Sequence, residues 1–241
     1  MQKCDYKAVF FDLDGTLLDL DMDLFLHQYF SGVSSFVSRR GYDPEVFLKA
    51  LGAGVRSMTE GVGGYNIDRF WGAFCTRTNE SQEEMEPLIT EYYQTDFNEI
   101  GEHIVPRPEA AEVLEILKEK KYPLYLTTMP LFPRIAVEQR LSWAGCSPDF
   151  FDRITTYDNS TSTKPRLEYY QENVDQIHLE PEKILMVGNN TQEDLACMGL
   201  GLDAFLVTDC LLNPNNFNIQ SVKHGSLKEL LGFVEKLPEC E

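Results

Sequence analysis

At 241 residues with a formal net charge of −18 and 43% hydrophobic content, the chain is long enough for one sizeable domain, or a core with a smaller insert, and apolar enough to bury a true core. The acidic balance excludes a general nucleic-acid binder, which needs a concentrated basic surface to displace counterions from phosphates. No apolar run approaches the ~20 residues that span a bilayer, and Lys3 and Asp5 precede an apolar strand too short for a signal peptide, so no membrane partner and a cytoplasmic location are expected.

The first element is the most informative. Ala8-Val9-Phe10-Phe11 reads as a strand buried on both faces, and it delivers Asp12 and Asp14 at its carboxyl end before Gly15 turns the chain. A buried strand tolerates two carboxylates only where they emerge at its edge, and in open α/β sheets that edge is where ligands bind. A solvated Asp-Gly turn is the competing reading. The interval from Asp21 to about Phe97 carries helical stripes instead, such as Leu24, Tyr29 and Phe30, then Phe70, Trp71 and Phe74, then Met85, Leu88, Ile89 and Tyr92. The cluster Gly52, Gly54, Gly61, Gly63 and Gly64 is expected to end and join these helices.

After Pro106-Arg107-Pro108 a helix starts with Ala110, Val113, Leu114 and Leu117 on one face. Helix and strand then alternate, with strands expected at 123–127, about 151–156, 184–187 and 203–207. That alternation predicts an α/β fold, a doubly wound parallel sheet with an inserted all-helical subdomain. The cysteines (Cys4, Cys75, Cys146, Cys197, Cys210 and Cys240) contain no Cys-x-x-Cys pair. His27, His103, His178 and His224 make no zinc-type spacing. Both sets read as incidental, buried or surface residues.

Asp12-Leu13-Asp14-Gly15-Thr16 after a hydrophobic strand resembles the first motif of the haloacid dehalogenase-like (HAD) phosphohydrolase superfamily. Pro123-Leu124-Tyr125-Leu126-Thr127 resembles the second motif and Thr163-Lys164-Pro165 the third. The fourth is matched by Ile184-Leu185-Met186-Val187-Gly188-Asn189-Asn190 with Glu193 and Asp194. The order and spacing of all four carry the resemblance over nearly the whole chain.

The resemblance implies a Rossmann-like core at 1–18 and 104–241, with a helical cap at 19–103 hinged near 17–21 and 100–106. It implies Asp12 as nucleophile, Asp14 as acid and base, Thr127, Thr128 and Lys164 as phosphate-binding residues, and Mg2+ held by Asp12, Asp14, Asn190, Asn189 and Asp194. Asp14 tilts the reading to phosphoryl transfer, since dehalogenases of the superfamily lack it. The expected activity is a Mg2+-dependent phosphatase acting on a small phosphorylated metabolite through an aspartyl phosphate. A phosphomutase of the same fold, or a catalytically weakened binding member, is the alternative.

Two departures from the superfamily pattern stand out. Asn189 and Asn190 occupy the positions where an Asp usually completes the metal shell, and Thr128 stands where many relatives carry Asn. Thr191 and Asp194 also have the spacing of a helix capping box, so Asp194 reads equally as cap and as site. Arg56, Arg69, Arg77, His27 and Tyr65 are the insert's candidate substrate contacts, although an exposed Arg on a helical insert is more often a solvated face. The sequence sets no oligomeric state.

Overall fold

The computed structural model describes residues 6–240; Lys3, Cys4 and Asp5 lie outside the described residues. The chain opens with β1 (Ala8–Phe11) and continues into five helices, α1 (Met22–Arg39), α2 (Pro44–Glu60), α3 (Asn66–Thr78), α4 (Gln82–Gln94) and the single turn α5 (Asn98–Gly101). Then come α6 (Pro108–Glu119), β2 (Leu124–Leu126), α7 (Arg134–Trp143), β3 (Arg153–Ile154), α8 (Leu167–Ile177), β4 (Ile184–Gly188), β5 (Asp203–Val207), β6 (Lys223–Gly225) and α9 (Leu227–Val234).

All six strands are parallel, in the order β3-β2-β1-β4-β5-β6. The chain steps outward from β1 through β2 to β3, then returns to lay β4 on the other side of β1. That reversal opens a crevice at the carboxyl ends of β1, β2 and β4. Register aligns it: Phe11 lies opposite both Leu126 and Val187, so the residues that follow all three strands emerge together.

The strand period of two explains why β1 must be apolar throughout. Val9 and Phe11 join the core cluster that contains Val113, Leu114 and Leu117 of α6 and Leu230 and Val234 of α9. Ala8 and Phe10 point the other way, into Tyr169, Tyr170 and Val174 of α8. Each fully buried Phe contributes on the order of 2–3 kcal/mol, so the strand that delivers Asp12 is firmly anchored.

The five-helix insert is built on local signals. Asp21 caps α1 by accepting from the Leu24 amide at 3.0 Å, and Ser81 with Glu84 forms a capping box at α4. Phe25, Tyr29, Val33, Phe36 and Val37 make the buried stripe of α1. Tyr29, Phe25 and Tyr93 pack their rings on Phe132, which follows β2 in the core.

Two sequence expectations need correction. Gly52 and Gly54 do not end a helix; both lie inside α2. A Cβ at Gly54 would sit 2.4 Å from Phe70 Cδ2, so that glycine serves the close approach of α3 to α2. The strand expected at about 151–156 shrinks to Arg153–Ile154, although the Asp152 and Thr155 amides on either side still donate to the Leu124 and Leu126 carbonyls at 2.8 and 2.9 Å. One strand was not anticipated: β6 is Lys-His-Gly, an edge strand without apolar alternation. Among the described residues no helix is long and apolar enough to cross a membrane.

Candidate active site

The main chain brings the pieces together before any side chain acts. Asp12 donates its amide to the Val187 carbonyl at 2.8 Å, and Thr127 donates its amide to the Phe11 carbonyl at 2.7 Å, fixing the ends of β1, β2 and β4 in one plane. Gly15 then turns the chain at φ 81°, and a Cβ there would meet Asn189 Nδ2 at 2.2 Å. Only glycine meets both conditions. The turn delivers Thr16, whose hydroxyl lies 3.3 Å from Asp12 Oδ2 and 3.2 Å from Asn189 Oδ1.

Lys164 is the electrostatic centre. Its side chain is 1% exposed, and Nζ donates to Asp12 Oδ1 at 2.7 Å and to Asp194 Oδ1 at 2.6 Å. Burial pushes the Asp12 carboxyl up to about 7 against the pull of Lys164, and Asp194 and Asp14 push the same way. Burial also works against the Lys164 charge, but Asp12 and Asp194 outweigh it and hold the ammonium well above its usual range. Asp14 pairs with Arg140 of α7, so the crevice holds three carboxylates against two cations. The excess of negative charge suits a further cation or a proton.

The fourth motif divides its labour. Asp194 Oδ2 accepts from the Asn189 and Asn190 amides, both at 2.9 Å, so with Lys164 on Oδ1 this carboxylate organises the turn. It forms no capping box with Thr191, whose hydroxyl bonds to the Leu212 carbonyl and to Asn213 Oδ1 instead. Asn190 turns away from Asp12: its Oδ1 accepts from the Gln192 and Glu193 amides at 2.9 and 3.1 Å. Asn189 is the asparagine on the Asp12 side of the crevice, sharing the Thr16 hydroxyl with Asp12, with Nδ2 anchored on the Cys210 carbonyl at 2.7 Å. Glu193 is largely buried, which raises its carboxyl.

At the second motif, Thr127 hydroxyl lies 3.3 Å from the Phe11 carbonyl, while Thr128 Oγ1 is buried with no hydrogen-bond partner among the described residues. The Thr128 carbonyl is held by the Thr155 and Tyr169 hydroxyls at 2.9 and 2.8 Å. That leaves the Thr128 hydroxyl as a buried donor without a partner among the described residues.

The insert reaches this crevice through the start of α3. Asn66, fully buried, donates Nδ2 to the carbonyls of Pro130 and Ser162, each at 3.1 Å, bridging the loops that carry Thr128 and Lys164. Amides at the α3 amino end bond to the core as well, Asn66 to Ser160 and Ile67 to Tyr157, which satisfies donors that a helix start leaves open. Arg69 is committed to the Gly64 and Thr161 carbonyls at 2.8 and 2.7 Å. Arg56 and Arg77 line an outer groove between α2 and α3, and His27 lines another beside α5. Tyr65 is half exposed just before α3.

Sequence reasoning missed three residues here. Thr16 lay inside the quoted motif without a role. Arg140 is a charge in register with the buried Ala136, Val137 and Leu141 of α7, a pattern that signals a paired interior cation. Asn66 gave no signal of its own.

Comparison with known proteins agrees with this geometry. Residues 6–197 match the family model described as haloacid dehalogenase-like hydrolase. The chain is 25% identical over 194 residues to the pyrophosphatase PpaX of Bacillus velezensis, covering 80% of this chain and 79% of that one. Two solved structures share the fold. The HAD phosphatase of Thermococcus onnurineus superposes with a TM-score of 0.57 at 20% identity, over 97% of this chain and 99% of that one. Magnesium-bound YfnB of Bacillus subtilis, described as a HAD hydrolase, gives 0.57 at 20% identity over 95% and 99%. With a family match over most of its length and the four motifs converging at one crevice, the chain belongs to the haloacid dehalogenase-like hydrolases.

Proposed function

We propose that the protein is a Mg2+-dependent phosphatase that hydrolyses a small phosphorylated metabolite through a phosphoenzyme formed on Asp12, with the five-helix insert acting as a cap. One observation carries this reading: Lys164 holds Asp12 by Oδ1 while the Thr16 hydroxyl lies 3.3 Å from Oδ2, an arrangement that orients Oδ2 as the nucleophile at the carboxyl end of β1. Phosphate monoesters resist attack because their anionic oxygens repel a nucleophile and an alkoxide leaves poorly, so charge must be neutralised and the leaving oxygen protonated. In the first step Asp12 Oδ2 bonds to phosphorus as the ester P–O bond breaks and Asp14 gives its proton to the leaving oxygen. In the second a water attacks the acyl phosphate, Asp14 takes the water's proton, and Asp12 and inorganic phosphate are released.

Lys164 neutralises the transferring group, and the open Thr128 hydroxyl donates to one of its oxygens. Asp12 and Asn189 offer hard oxygens suited to Mg2+, with Asp14 on the same turn, whereas Asn190 and Asp194 are already engaged by the local turn. Among the described residues no three His, Cys, Asp or Glu side chains form a metal cluster, so the cation would depend on an amide oxygen and on the substrate phosphate. Bound there, it would polarise the phosphoryl oxygens and offset the excess negative charge. The name of the PpaX relatives makes pyrophosphate one substrate to include beside phosphate monoesters.

The test is phosphate release from a panel of phosphorylated metabolites, with and without Mg2+, by wild type and Asp12→Asn. Turnover by the wild type and a loss of several powers of ten in the variant are expected. Near-wild-type turnover in Asp12→Asn would sink the mechanism. Isomer formation without phosphate release would mark a mutase.

A further inference from the structure

We infer that Arg140 is a positioning residue for Asp14, fixing one oxygen of that carboxylate so that the other is the atom that exchanges a proton with the leaving group. This rests on Asp14 being the acid and base of the proposed phosphatase, and it assigns a task to a side chain that lies outside all four motifs.

Arg140 lies near the carboxyl end of α7 and is 1% exposed, beside Ala136, Val137 and Leu141. A guanidinium buried in that setting needs an acceptor within reach, and a carboxyl oxygen serves whether it is ionised or protonated. Among the described residues Asp14 is the one carboxylate that pairs with it, through Nη1 and Asp14 Oδ2. The rest of the guanidinium is held from other sides. Nε donates to the Ala136 carbonyl at 3.2 Å, and the group stacks 4.5 Å over the Phe132 ring. Arg140 is thus immobilised by groups other than Asp14, and the carboxylate takes its orientation from the arginine rather than the reverse.

The remaining atoms point to function. Asp14 Oδ1 and Arg140 Nη2 are buried, and neither has a hydrogen-bond partner among the described residues. A pair kept only for stability would close both ends of the fork, since each buried unsatisfied group costs about 1–3 kcal/mol, and an apolar pair would serve stability as well or better. Here Oδ2 is bound and Oδ1 is open, which leaves Oδ1 to carry the proton. Phe132 in turn packs against Phe25 and Tyr29 of α1 and Tyr93 of α4. The insert therefore braces Asp14 through two side chains.

The experiment measures kcat and KM of the full chain on aryl phosphates of graded leaving-group strength and on an alkyl phosphate, for wild type, Asp14→Asn, Arg140→Met, Arg140→Lys and Arg140→Met with Asp14→Asn. Loss of an oriented acid slows poor leaving groups selectively, by about 100-fold or more, and spares activated ones. Arg140→Met should reproduce the leaving-group dependence of Asp14→Asn at nearly unchanged KM. The double variant should be no slower than Asp14→Asn alone, and Arg140→Lys should recover part of the alkyl phosphate rate. Equal slowing of all substrates by Arg140→Met, or multiplying effects in the double variant, would overturn the inference. Should Arg140→Met not fold, Arg140→Lys and Phe132→Leu decide on the same criterion. Activity surviving in Asp12→Asn, or no leaving-group effect in Asp14→Asn, would instead overturn the phosphatase reading beneath it.

Discussion

Replacing Lys164 with Met removes the ammonium that bridges two buried carboxylates while keeping most of the side-chain volume. Asp12 Oδ1 and Asp194 Oδ1 lie 2.7 and 2.6 Å from Nζ, so they are at most about 5 Å apart. At an effective dielectric near 20, two like charges at that distance repel by about 3 kcal/mol. Breaking a buried pair by removing one partner generally costs about 3–5 kcal/mol, and the two routes agree. For a chain of this size, 1 kcal/mol moves Tm by about 2–4 °C, so Lys164→Met should lower Tm by roughly 10 °C, read by circular dichroism. Phosphatase turnover should fall at least 100-fold, because the charge facing the transferring group is lost. The companion variant Lys121→Met, at an exposed pair with Glu239, should leave both readouts near wild type. A Lys164→Met protein that melts within 2–3 °C of wild type would refute the claim that this lysine holds the two carboxylates together.

Two other changes test the periphery of the argument. Asn189→Asp should lower the Mg2+ concentration for half-maximal activity, because it restores an anionic oxygen beside Asp12, and should cost about 1 kcal/mol without metal because the donor to the Cys210 carbonyl is lost; the same change at Asn190, whose Oδ1 faces the Gln192 and Glu193 amides, should shift the metal titration little. Burial alone would raise the Asp203 carboxyl, but hydrogen bonds from Lys223 and Tyr6 outweigh it and hold the group below its usual range. A depressed folded value means stability present above the unfolded pKa of about 3.9 and lost as pH falls through the folded value. Asp203→Asn should therefore be less stable than wild type at pH 7, by about 1 kcal/mol at most for so exposed a pair, with the gap closing in urea titrations as pH drops below about 4.

How far the site could be read from sequence depended on whether its chemistry was local. Asp12 was legible because four apolar residues before it announce a strand buried on both faces, and the parallel sheet puts the end of such a strand at a ligand crevice. Lys164 was legible from the Thr163-Lys164-Pro165 frame that resembles the third motif, and the fourth-motif turn from the apolar strand β4 that precedes it. Asn189 and Asn190 were not separable, since adjacent turn residues point in different directions and the choice is made by hydrogen-bond competition. Asn190 finds two free amides just ahead of it and becomes a local cap. Asn189 is pulled the other way by a carbonyl 21 residues downstream. The same limit hid Arg140, whose partner Asp14 is 126 residues distant. An arginine inside an apolar helix stripe says that some acid must meet it, and only the folded chain says which. Under the proposed mechanism that missing fact matters at Asp14: a carboxylate free to rotate would offer either oxygen to the leaving group, and one held through Oδ2 by a buried guanidinium would offer Oδ1.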